Sequence, residues 1–168
     1  MKTIFITLAA IILIAACGQK QNAKATVDLS KVQAEVMAVQ DSMHKAFLEK
    51  RVDDYMKHFT ADARILGTDP SENLSKEGYM EYLKDFIAKG LSVDYTTNNS
   101  LIIVSPDGKN AVTNFQWRFP TILKNGDIRI CYNWILTDTG WRCNFANYAV
   151  IPPNADIPAI DSVLAIKK

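Results

Sequence analysis

The 168-residue chain has no surplus of either charge: 19 Lys and Arg stand against 18 Asp and Glu, a net of +1. Nucleic acid is therefore not expected as a partner, since nothing supplies a basic field. Histidine is scarce, with only His44 and His58, and no HxxxH or HxxE spacing joins them. No metal site is expected from so few ligands. GxSxG, P-loop and dinucleotide fingerprints are absent, so no cofactor is implied. With 48% hydrophobic and 22% charged residues, the composition excludes disorder, collagen and a polytopic membrane protein. The length suits one domain.

The chain also lacks an apolar run long enough to span a bilayer. Ile4 to Ala16 is apolar except for Thr7, but a spanning helix needs about 20 residues. Behind Met1-Lys2-Thr3 this run fits the h-region of a secretory signal peptide. Ile14-Ala15-Ala16-Cys17-Gly18 then resembles the bacterial lipobox, which implies lipidation of Cys17 and a membrane partner held through acyl chains. Gly18 after that Cys implies, by the same resemblance, the outer membrane facing the periplasm. Residues 1–16 are thus the expected signal peptide and 17–29 the lipidated Cys with a polar tether. Removing sixteen residues, which hold only the basic Lys2, leaves 152 residues with 18 basic and 18 acidic side chains.

The domain is expected over 30–152, with a tail over 153–168. Ser30-Lys31-Val32-Gln33 reads as a capping box. Val32, Val36, Val39, Met43 and Phe47 follow at helical spacing, predicting a helix over 30–50. A short helix over 52–58, a strand over 63–66 and a third helix capped by Ser75 come next. Tyr79, Met80, Leu83, Phe86 and Ile87 form that helix's apolar face, and Gly90 ends it. The second half alternates with period two. Strands are predicted over 93–98, 100–105, 111–119, 127–136 and 141–150. Helices first and an antiparallel meander later predict an α+β fold.

Turn chemistry predicts register. A two-residue Asn125-Gly126 loop pairs 117 with 134; a three-residue loop ending at Gly140 pairs 135 with 143. Phe115, Trp117, Phe119, Tyr132, Trp134 and Leu136 then share the face toward the helices. Asn114, Gln116, Arg118, Cys131, Asn133 and Ile135 share the other. Residue 143 falls about 13 Å along the strand from Cys131, too far for a disulfide. Cys131 and Cys143 are expected as buried free thiols. A short helix is expected over 161–166.

The segment Phe59-Thr60-Ala61-Asp62-Ala63-Arg64-Ile65-Leu66-Gly67-Thr68-Asp69-Pro70, with Glu72, resembles the signature of SnoaL-like domains in the nuclear transport factor 2-like superfamily. Lys76-Glu77-Gly78-Tyr79 fits the start of the family's third helix, and Gly140-Trp141-Arg142 its final strand. The resemblance implies a cone-shaped fold, with three N-terminal helices packed on a strongly curved antiparallel sheet, often dimeric through the sheet. Asp69 resembles the base of the superfamily's isomerases. Met43 falls where their oxyanion tyrosine belongs, and a thioether cannot donate that hydrogen bond.

The pool for a pocket is Tyr55, Tyr79, Tyr82, Trp117, Tyr132, Trp134, Asn144 and Tyr148, with Asp69 and Glu72 as candidate acid/base groups. Asp69 in Thr-Asp-Pro-Ser also suits a local Asx turn. The leading expectation is a lipid-anchored domain that binds a small apolar or aromatic ligand, or a protein partner, without catalysis. The alternatives are an isomerase, dehydratase or hydrolase using Asp69 or Glu72, and an interaction module dimerising through the sheet.

Overall fold

The computed structural model describes residues 27–166. The signal peptide, Cys17 and most of the tether lie outside the described residues. The first helix, α1, spans Leu29–Leu48. Its N-cap is Asp28 and not Ser30: the Asp28 carboxylate accepts from the N–H groups of Ser30 and Lys31, both at 3.1 Å. Ser30 serves as second to the cap, its hydroxyl donating to the same oxygen at 2.6 Å. Val36, Met43, Ala46 and Phe47 bury the stripe that the spacing marked out. Lys50, at φ 60, turns the chain into α2 (Val52–Met56).

Strand β1 (Phe59–Leu66) starts earlier than its apolar end predicts. It doubles back onto β2 (Asn73–Ser75), a strand too short to show period two, pairing Ile65 with Leu74. Ser75 caps α3 (Lys76–Ala88), accepting from the Gly78 N–H at 3.2 Å. Gly90 ends this helix at φ +73. Strands β3 (Thr96–Val104), β4 (Asn110–Arg118), β5 (Ile128–Thr137) and β6 (Gly140–Val150) complete a six-stranded sheet in the order β2-β1-β6-β5-β4-β3. The sheet is mixed, which corrects the expectation of a wholly antiparallel one. β1 runs parallel to β6, pairing Ile65 with Ala146, because the helical half returns to the sheet edge in the direction of the last strand.

One strand assignment and two predicted registers change. β3 is one strand with a bulge at Asn99, not two strands; Asn99 sits at φ 51 and donates to Gln116 at 2.9 Å. The β4–β5 pair sets Trp117 against Ile128 and Ala111 against Trp134. Pro120 has no N–H for the ladder, and the N–H groups of Ile122 and Leu123 turn back to the Phe119 carbonyl. The loop is therefore longer than Asn125-Gly126. The slip is an even number of residues, so the faces survive it: Phe115, Trp117, Tyr132 and Trp134 are all buried. Leu136, beside the next turn, is instead exposed.

That next turn has two residues, Asp138-Thr139, with Gly140 at φ +97. Ile135 thus pairs with Arg142 rather than Cys143. A bulge at Asn133/Trp134 then restores the predicted offset, with Asn133 against Phe145. Among the described residues, Cys131 and Cys143 are both free. Cys143 is buried in the core, whereas Cys131 is only half-buried, opposite Asn147 on the outer face.

After β6, a 3-10 turn (Asn154–Asp156) leads to α4 (Ile157–Ile166), a longer helix than predicted, with every residue exposed. No helix among the described residues is long and apolar enough to cross a membrane.

Because Asp28 carries the cap, Asp28→Ala should cost about 1 kcal/mol of unfolding free energy. Ser30→Ala should cost less than half of that. Urea denaturation of the two variants checks the order.

Candidate functional site

The inner face of β4, β5 and β6 is crowded with large rings, and their polar tips must find partners once α1 to α3 cover them. Four tyrosines answer this together. The Tyr148 hydroxyl of β6 receives a hydrogen bond from Tyr79 of α3 at 3.2 Å. It also lies 3.1 Å from the Tyr55 hydroxyl of α2 and 3.2 Å from the Tyr132 hydroxyl of β5. A hydroxyl donates once and accepts twice, so Tyr148 is satisfied by these neighbours. Burial holds all four phenols above their ordinary pKa, and they stay neutral.

A narrow slot of about 50 Å³ opens over this hub, between α3, the inner sheet face and the loop after β1. Tyr79, Trp117 and Tyr148 line it, as the aromatic pool anticipates, and so does Tyr82 at its mouth. Tyr55 and Tyr132 lie beneath, reaching it only through the hydroxyl hub. Trp134 does not line it. Its indole N–H donates to Thr113 at 3.0 Å, and Thr113 donates to Gln40 of α1 at 2.6 Å, a fully buried tie between helix and sheet. Asn144 is also elsewhere, because the bulge places it outside the core, accepting from Asn133 at 2.6 Å.

The two carboxylates separate. Asp69 is exposed outside the slot, and its carboxylate accepts from the Ser71 N–H at 2.8 Å and the Ser71 hydroxyl at 2.5 Å. Those bonds hold it below the usual carboxylate range. Glu72 does line the mouth. One of its oxygens accepts from the Asp69 N–H at 3.0 Å. It lies so close to Gly67 that a Cβ there would stand 2.0 Å from it. Glycine at 67 is therefore what allows Glu72 to fold inward. Met43 is fully buried and offers no donor. Among the described residues no His, Cys, Asp or Glu group gathers as metal ligands.

Sequence reasoning missed the apolar walls: Phe47, Leu83, Phe86, Phe119, Ile122 and Ile128. Several were visible as core positions, since Leu83 and Phe86 share the α3 stripe. Only folding shows which core side chains border the gap. His44 does not line the slot. It is buried inside a cage of rings, with centroids of Phe115, Trp117, Tyr95 and Tyr132 at 5.1, 5.5, 5.9 and 6.0 Å.

A SnoaL-like domain model matches residues 36–146. The chain belongs to the SnoaL-like family. Solved structures agree on the fold of this SnoaL-like domain. A Pectobacterium atrosepticum protein of unknown function is 21% identical, with a TM-score of 0.63 over 73% of this chain and 93% of that one. An NTF2-like protein of unknown function from Pseudomonas putida is 8% identical, with a TM-score of 0.60 over 74% and 90%. An NTF2-like protein from Cytophaga hutchinsonii is 13% identical, with a TM-score of 0.58 over 71% and 98%. These identities show the nuclear transport factor 2-like fold and nothing finer. No curated protein sequence matches.

Burial in the cage lowers the His44 pKa from 6.5 to about 4. The unfolded chain therefore binds a proton that the SnoaL-like domain refuses between those values. This contribution is nil above about pH 7, and stability falls as pH drops through 6.5 toward 4, by about 3 kcal/mol in total. His44→Phe should flatten that part of the profile. Urea midpoints of both proteins from pH 7.5 to 4 isolate the difference from the carboxylates they share.

Proposed function

We propose that this SnoaL-like domain is a binding module that takes a small apolar or aromatic molecule in the slot over Tyr148, without catalysis. The observation that carries the reading is the state of the carboxylates. Asp69 faces away and is saturated by Ser71. Glu72 is tied to its own loop through the Asp69 N–H. The remaining walls are aliphatic and aromatic, which suits a ligand bound by burial. At about 50 Å³ the slot is smaller than the cavities that take a benzene ring. Entry thus requires the exposed mouth residues Tyr82 and Ile122 to swing aside.

Lipidation of Cys17 would display the module at the bacterial envelope, on the periplasmic side of the outer membrane. Support for that remains the lipobox resemblance. A sheet-mediated homodimer is supported by Ile103 and Val112, paired and exposed on the outer face. The second reading, an isomerase, dehydratase or hydrolase with Glu72 as general base, draws on its place at the slot mouth.

Titration of the ¹⁵N-labelled protein with toluene tests the binding reading. Toluene should shift the amide signals of Leu83, Ile128 and Tyr148. Leu83→Trp, which fills the slot, should weaken binding at least tenfold, while Asp69→Asn should change it less than twofold. Absence of shifts up to the solubility limit of toluene overturns the reading. For the anchor, intact mass of the membrane-extracted protein should show acyl chains on Cys17; a bare thiol overturns that part alone.

A further inference from the structure

Most buried polar tips in the core are satisfied, but three neighbouring ones are not. His44 Nε2, Trp117 Nε1 and the Tyr95 hydroxyl are buried with no hydrogen-bond partner among the described residues. The three rings touch one another: Tyr95 stacks on Trp117 at 4.1 Å between centroids, and His44 packs edge-on to Trp117 at 5.5 Å and to Tyr95 at 5.9 Å. His44 comes from α1, Trp117 from β4, and Tyr95 from the irregular segment before β3. His44 is nine-tenths buried and Trp117 more so. Each orphaned group forfeits a hydrogen bond it had in water, which costs folding free energy. Three such groups in mutual contact stand out beside the Tyr55, Tyr79, Tyr132, Tyr148 and Thr113 hydroxyls, which are all paired.

Trp117 connects this trio to the slot, because its ring is also a slot wall. The inference therefore rests on the slot being a ligand site. We infer that the trio recognises a neutral oxygen, a hydroxyl or carbonyl, carried by the planar apolar ligand that occupies the slot. The chemistry of the three groups sets the class. Trp117 Nε1 only donates, the Tyr95 hydroxyl donates or accepts, and His44 Nε2 takes either role with its tautomer. An uncharged oxygen complements all three. A carboxylate does not, since no Lys or Arg lines the slot. Tyr95 is the least buried of the trio and lies outside any helix or strand.

p-Cresol and toluene differ by one hydroxyl and make the test. p-Cresol should bind the protein at least tenfold more tightly than toluene. It should also move the Trp117 indole N–H resonance, assigned by its loss in Trp117→Phe, downfield, and toluene should not. Tyr95→Phe keeps the ring and removes the hydroxyl. It should cut p-cresol affinity about tenfold and toluene affinity less than threefold. Equal affinities for the two probes, with slot amides shifting for both, overturn this inference alone and leave the trio to an internal water. Failure of both probes to shift any slot amide overturns the slot reading, and this inference with it.

Discussion

The Tyr148 hydroxyl is the point on which the halves of the domain converge. One helix-borne phenol from α2, one from α3 and one strand-borne phenol from β5 meet it within 3.1–3.2 Å. A sheet that curves around its helices brings large side chains to a common centre, and phenylalanine alone could fill that volume. Tyrosine does more, because its directional tip requires the partners to arrive at defined positions. The hub therefore fixes how α2 and α3 sit over the sheet. Gln40, Thr113 and Trp134 do the same for α1 at the other end of the inner face.

These two satisfied networks contrast with the unsatisfied trio. Within the trio, His44 packs against Phe115 and Tyr132, and Trp117 against Phe115. A core that saturates those polar tips and leaves these three open has a local reason for the gap. The slot beside Trp117 supplies that reason in the binding reading. Stability and recognition then draw on the same set of rings: those with partners hold the cone together, and those without remain open to a guest.

Faces were more legible in the sequence than registers. Alternation alone placed Phe115, Trp117, Tyr132 and Trp134 inward, and the structure buries all of them. The pairing of Trp117 with Ile128 was not legible, because Asn125-Gly126 is the stronger local hairpin signal and Pro120 overrides it from outside the turn. The parallel β1–β6 contact was invisible for a different reason: neither strand is near the other in sequence, and no turn joins them. The pocket pool suffered from the same blindness at the level of side chains. Trp134 belongs to that pool by its inward face, and Asn144 by residue type. Burial consumed the first, and a one-residue bulge turned the second outward.

The loop that best marks the family is also the one whose chemistry is easiest to overread. Gly67 to Ser71 carries Asp69, which resembles in sequence the base of the superfamily's isomerases, yet the hydrogen bonds of Gly67, Asp69, Ser71 and Glu72 close the loop. The Gly67 N–H donates to the Glu72 carbonyl at 2.9 Å, and the Glu72 N–H donates to the Asp69 carbonyl at 3.0 Å. The Glu72 carboxylate binds the Asp69 N–H, and the Asp69 carboxylate binds Ser71. Gly67 is required because Glu72 occupies the space a side chain would take. Such a set returns the chain from β1 to β2 in few residues, which the short β2 strand needs before α3 can begin. Folding thus accounts for each of these residue types without any reaction. A catalytic role for Glu72 would fall to its other oxygen, since the bond from the Asp69 N–H is the contact that shapes the slot mouth.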